Sequence, residues 1–223
     1  MKKLLPGILA VVMCISLASC GKSQKDTEAF EISKETYSAI SQAYALTCEM
    51  ADDIYDAWRI AIYEKDSVGF DYLSEQLNLS KEDLDEGIVY SILTLAKGSS
   101  YETASEEDKQ SFRNSGDFFF DTFKDNPAWA CITVTHYAYI ANGMVSTIDV
   151  ALNEAKDDIK KLEENFPDYE HNASLKTFYT TVSSYLELVK LPEVSYEQFT
   201  ENMTNYEKEA RDCMSGLDFT FKE

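Results

Sequence analysis

The chain has 223 residues, with 40 Asp and Glu against 20 Lys and Arg and a formal charge of −20. That balance excludes a free-standing nucleic-acid binder, because phosphate contacts need clustered Lys and Arg. A hydrophobic fraction of 44% excludes a disordered chain, and 8 Gly with 4 Pro leave little material for the turns of an all-β fold.

Met1-Lys2-Lys3 is a basic start, residues 4–17 form an apolar run broken by Pro6-Gly7, and small residues follow. This order of segments is that of a secretory signal. The run is too short and too interrupted for a membrane-spanning helix. Leu17-Ala18-Ser19-Cys20 resembles the lipobox of bacterial lipoproteins, whose cysteine takes a diacylglycerol thioether and is exposed by cleavage just before it. The resemblance covers the leader alone. It implies a signal peptide over 1–19, lipid attachment at Cys20 and a place on the extracytoplasmic face of a bacterial membrane, with that membrane as the first partner. Two acyl chains anchor firmly where one anchors weakly. Lys2 and Lys3 leave with the leader, so the mature chain is two units more negative. Residues 20–29 read as the lipidated cysteine and a flexible polar tether, and residues 30–223 as a single helical-bundle domain.

From residue 30 the dominant signal is the 3–4 spacing of packed helices. Tyr37, Ile40, Tyr44, Cys48, Ala51, Tyr55, Trp58 and Ile62 give a first long helix one apolar face. Ala39, Ala43, Leu46, Met50 and Ile54 give it a second, so it is expected to touch neighbours on two sides. A short helix is expected around 70–77. Ser80-Lys81-Glu82-Asp83 and Ser105-Glu106-Glu107-Asp108 look like helix starts, a capping hydroxyl followed by acids. Leu84, Ile88, Ile92 and Leu95 mark the apolar side after the first start, which Gly98 closes. Phe112, Phe119 and Phe123 mark it after the second.

Asn126 suits an N-cap and Pro127 a first helical position. A stripe then runs Val134, Ala138, Ala141, Val145, Ile148, Leu152, Ala155, Ile159, Leu162 and Phe166, ending at Pro167. Residues 132–140 are β-branched and aromatic, and Asn142-Gly143 is a hairpin turn pair, so strand–turn–strand is the competing reading. The stripe crosses Asn142-Gly143 without a change of phase, which favours one long helix. Ile132, Tyr139, Ile140 and Val150 lie off the stripe, so the first half is expected at the centre of the bundle and the acidic second half at its surface. Leu175, Phe178, Val182, Tyr185 and Val189 define the next helix, closed by Pro192. Tyr196, Phe199, Met203, Tyr206, Ala210, Cys213 and Leu217 define the last, with Ser195 and Gln198 as its capping box. The expected fold is all-α, an elongated antiparallel helical bundle with two long helices and several shorter ones.

No catalytic, cofactor-binding or metal-ligand motif emerges. Neither His136 nor His171 has a Glu three residues before it, so the di-iron pattern fails, and there is no CxxC. His136 reads as a hydrogen-bonded core or cleft residue. The acid runs Asp52, Asp53, Asp56 and Asp157, Asp158, Glu163, Glu164 read as solvated helix faces. Cys48, Cys131 and Cys213 fall on apolar stripes. If the last two helices climb beside the long one as a single broken helix, Cys213 reaches the level of Cys131 and a Cys131–Cys213 disulfide follows, with Cys48 free and buried. If they instead fold as a hairpin, the pair is separated. Tyr55, Trp58, Trp129, Tyr137 and Tyr139 are core aromatics or the lining of a groove between long helices.

The expected function is a non-enzymatic binding or protein-interaction module without a cofactor. Its unknown protein, peptide or small-molecule ligand is expected to be cationic or neutral rather than anionic, with no nucleic acid. Two alternatives stand beside it: an acidic surface or immunity protein that captures cationic peptides, and an envelope enzyme with an unrecognised carboxylate site.

Overall fold

The computed structural model describes residues 24–63, 75, 78, 80, 82, 85–87, 89, 90, 93, 103–113, 127–190 and 194–221, the side chains of 24, 112, 113 and 127–131 excepted. Its helices are α1 (Gln24–Tyr63), α2 (Glu106–Arg113), α3 (Pro127–Ala141), α4 (Met144–Asn165), α5 (Asn172–Lys190) and α6 (Tyr196–Phe221). No strand occurs among the described residues, so the protein is an all-α bundle. None of the described helices is long and apolar enough to cross a membrane.

At 40 residues, α1 is about 60 Å long. It packs against α3, α4, α5 and α6, which is why two of its faces are apolar. Ile40, Ala43, Met50, Ala51 and Ile54 are fully buried. The helix begins at Gln24, so the segment read as a tether to residue 29 is helical over its second half. Ala29 explains the difference: it is buried in the core, and the adjacent Phe30 ring packs on Phe221. One small apolar residue among polar ones gave no periodic signal.

The expected long helix after Pro127 is two helices. Gly143 stands between them at φ 80°, in the left-handed region that glycine adopts without strain. Asn142 Oδ1 accepts from the Met144 N–H at 2.9 Å and starts α4. The stripe keeps its phase because both helices pack on α1, so a bend toward the same neighbour leaves no mark in the spacing. Ala141 does lose its core position and is exposed. The hairpin reading fails, since both flanks are helical.

Several starts and stops are as expected. Ser105 Oγ accepts from the Asp108 N–H at 3.1 Å before α2. Ser195 and Gln198 form the reciprocal box at 3.3 and 3.2 Å before α6. Pro127 is the first described residue of α3, and Pro167 follows the end of α4. In α5, Leu175, Phe178, Val182, Tyr185 and Val189 are all fully buried. Leu84, Ile88, Ile92, Leu95, Gly98, Phe119, Phe123, Asn126, Pro192 and the segment 70–74 lie outside the described residues, and Phe112 has no described side chain. In their neighbourhood Gly87, Val89 and Leu93 are helical and buried. A Cβ on Gly87 would stand 3.3 Å from both Tyr137 and Val134, so this helical stretch crosses α3 closely.

α5 and α6 pack against each other as a hairpin. Tyr196 at the start of α6 meets Tyr55 and Trp58, and Phe221 at its end meets Phe30 and Tyr37, so α6 runs antiparallel to α1. The expected Cys131–Cys213 bridge is therefore overturned. The hairpin carries Cys213 back toward the Phe221 end, away from α3, and its thiol is free. Cys48 is free and half-buried.

Candidate functional site

The α3–α4 break opens a cleft of about 450 Å³ between the end of α3, the start of α4, Tyr90 and the end of α5. His136 and Ile140, one turn apart, face it from α3. Ser146, Asp149 and Asn153, three and four apart, face it from α4, and Lys190 closes it from α5. The apolar wall is Ile140, Val145 and Val150. Ile140 and Val150 are 36% and 54% exposed, unusual for large apolar side chains in this molecule. Both lie off the main stripe because they face the cleft rather than the core.

His136 is 8% exposed, and its Nδ1 lies 3.2 Å from the Tyr90 hydroxyl. The two rings meet edge to face at 5.8 Å. Burial, and then the Lys190 ammonium, push the His136 imidazole down to about 4, so it is neutral at ordinary pH. A neutral imidazole offers one donor and one acceptor. Lys190 Nζ donates to Asp149 Oδ1 at 2.9 Å and to Glu187 Oε1 at 3.5 Å, so its charge is already balanced. The cleft thus presents hydrogen-bonding groups of both kinds, an apolar wall and little net charge. That chemistry suits binding of a neutral polar molecule.

Among the described side chains, the aromatic residues proposed for a groove pack in separate contacts. Tyr55 stacks on Tyr196 at 5.4 Å, and Trp58 packs on Tyr196 and Phe199. Tyr139 is buried, and its hydroxyl donates to Asp53 on α1. Tyr137 faces Tyr90 at 5.7 Å, and the Trp129 side chain lies outside the described ones. Four of the five are therefore packing residues of three separate contacts.

A second polar region follows α1 and α6. Tyr185 donates to Glu207 Oε1 at 3.2 Å, Arg211 to Glu207 Oε2 at 3.2 Å, and Tyr44 to the Glu207 carbonyl at 3.4 Å. Burial, with the neighbouring carboxylates, holds Tyr139 and Tyr185 well above the usual tyrosine range. Burial also pushes the Cys48 thiol up to about 11, which leaves it protonated and unreactive. Asp52 is raised by burial and by Glu207, Asp53 and Asp56. The first acid run is thus not simply a solvated face, since Asp53 ties α1 to α3. Groups of three or more His, Cys, Asp and Glu arranged to hold a metal ion do not occur among the described residues.

Sequence reasoning placed His136 correctly as a hydrogen-bonded buried residue but missed Tyr90, Ser146, Asp149, Asn153 and Lys190. The available signal was Ile140 and Val150, two apolar residues off the stripe beside evenly spaced polar ones. No family model matches the chain, and neither curated proteins nor solved structures give a match.

Proposed function

We propose that the chain is a lipid-anchored binding module on the extracytoplasmic face of a bacterial membrane, without catalytic action of its own. It holds a small neutral polar ligand in the cleft at the α3–α4 break. The anchor rests on Leu17-Ala18-Ser19-Cys20. The observation that carries the binding reading is a buried, uncharged His136 beside a charge-balanced Lys190–Asp149 pair, with two apolar side chains left open to the same space. A default ligand site combines an apolar wall with a few convergent polar groups. The test is a thermal-shift screen of sugars, polyols and amino acids on the full chain. A ligand that raises the Tm of the wild type but not of Asn153→Leu supports the reading. No shift from any compound, or equal shifts in both proteins, contradicts it.

A second reading, capture of cationic peptides, is favoured by one observation. Asp52, Asp53, Asp56 and Glu207 gather negative charge on α1 and α6, and burial together with these neighbours raises the Asp52 carboxyl. It requires salt-sensitive binding of an oligolysine peptide that weakens in Asp52→Asn. Binding that ignores salt and this substitution rules it out.

A further inference from the structure

With α1 starting at Gln24, the connection from Cys20 is shorter than a nine-residue tether, and a shorter connection limits how far the start of α1 can stand from a lipid on Cys20. Three residues separate Cys20 from Gln24, the first residue of α1. Fully extended, that connection spans at most about 14 Å. The neighbours of the α1 start are the α4–α5 turn and the last turn of α6. Phe30 packs on Phe221, and Tyr37 donates to Asp218. His171 of the turn meets Phe221 edge to face at 5.2 Å. A recess of about 660 Å³ opens at this end, with Lys25, Phe30, Phe166, Asp168 and Thr220 in its walls. In the same last turn Phe219 is 100% exposed, while its neighbour Phe221 is buried.

We propose that the bundle end carrying Phe219, the α4–α5 turn and the first turn of α1 is a membrane-contact surface, with Phe219 seated in the lipid interface. This rests on the reading of Cys20 as the lipidated residue. A fully exposed aromatic ring on a soluble face is costly to hydrate, and it gains most by entering the boundary between headgroups and acyl chains. Charge does not bring this end to the bilayer, because Asp26, Asp168 and Glu170 offset Lys25 around the recess. The covalent anchor does so by holding the surface within reach at high effective concentration. The orientation sets α1 upright. Asp53 and the Tyr139 contact then stand about 44 Å from the α1 start, and the cleft opens well clear of the headgroups.

The test places a tryptophan at each end of the bundle, one in the last turn of α6 and one at the end of α1, in the full lipidated chain reconstituted in phosphatidylcholine vesicles with brominated acyl chains. Phe219→Trp reports the proposed contact. Tyr63→Trp, 70% exposed at the far end of α1, reports the opposite end. Emission above the wild-type background should be largely lost for Phe219→Trp and retained for Tyr63→Trp. Retained emission from Phe219→Trp in protein shown by mass to carry lipid on Cys20 overturns the contact and leaves the lipoprotein reading standing. Equal loss from both variants overturns the upright orientation. Absence of lipid on Cys20 overturns both readings, and fractionation of Cys20→Ala reads that outcome separately.

Discussion

α3 and α4 belong to one apolar stripe and lean on the same partner, yet they occupy different surroundings. Residues 132–136 of α3 are all buried in succession, because α1 covers one side and the helical stretch at Gly87 covers another. In α4 burial is confined to Ile148, Ala151, Leu152, Ala155, Ile159 and Leu162. The stretch 132–136, covered on more than one side, takes polar groups inside: Thr133, Thr135 and His136 are buried in it. The one-sided helix keeps its polar groups in water, as the Lys161–Asp158 and Lys176–Glu163 pairs show. Where the two meet, His136 of α3 and the outer face of α4 share a space, and that space is the cleft. The candidate site arises here from the change of environment along one stripe rather than from a motif.

The comparison breaks most severely in the apolar half. Leu162 is 1% exposed, and Leu162→Ala should cost about 3 kcal/mol in urea unfolding, with no change in His136 chemistry. A loss under about 1 kcal/mol would mean that α4 is not the packing helix described.

The polar half is sharpened by pH. His136 has a native value of about 4, below its unfolded value of 6.5. The unfolded state therefore binds the proton first, and stability falls as pH drops from 6.5 toward 4. The full effect is on the order of 3 kcal/mol. Asp52 is raised, so it acts in the opposite direction. The comparison to make is therefore with His136→Gln, whose acid limb should be visibly flatter than that of the wild type. Parallel limbs would remove His136 from the account.

Gly87→Val probes the cover over α3. Its added methyls meet Tyr137 and Val134, so a destabilisation of about 2 kcal/mol is expected, with the Tyr90–His136 contact disturbed. A neutral result would show α3 open on that side. The smallest effect is expected at the break itself. Gly143 has open space around it but φ 80°, so Gly143→Ala should cost about 1 kcal/mol from backbone strain alone. A stabilising substitution there would mean that α3 and α4 join as one helix.

Most of the bundle was legible because its helices carry local signs. Ser105, Ser195 with Gln198, and Pro167 mark ends through side-chain caps and the missing proline N–H, which act within one turn. The α5 stripe is buried residue for residue, because a one-sided helix writes its environment into its spacing. The break at Asn142-Gly143 was marked by the turn pair itself, but the stripe that stays in phase across it outweighed that sign. The cleft was less legible still. Tyr90 and His136 lie 46 residues apart, and Lys190 and Asp149 lie 41 apart, so only the packing of α5 and the Gly87 stretch brings them together. The Cys131–Cys213 bridge failed for a related reason, since helix lengths alone do not choose between a climbing pair and a hairpin.

The central claim is that α3 carries a dry, uncharged histidine at the mouth of a binding cleft. A ring-nitrogen NMR titration of the isotope-labelled chain tests it most directly, with His136→Gln identifying the signal. The account predicts that His136 stays neutral through pH 5.5 and titrates only toward about 4. A midpoint at the ordinary 6.5 would show a solvated, chargeable ring and contradict the account.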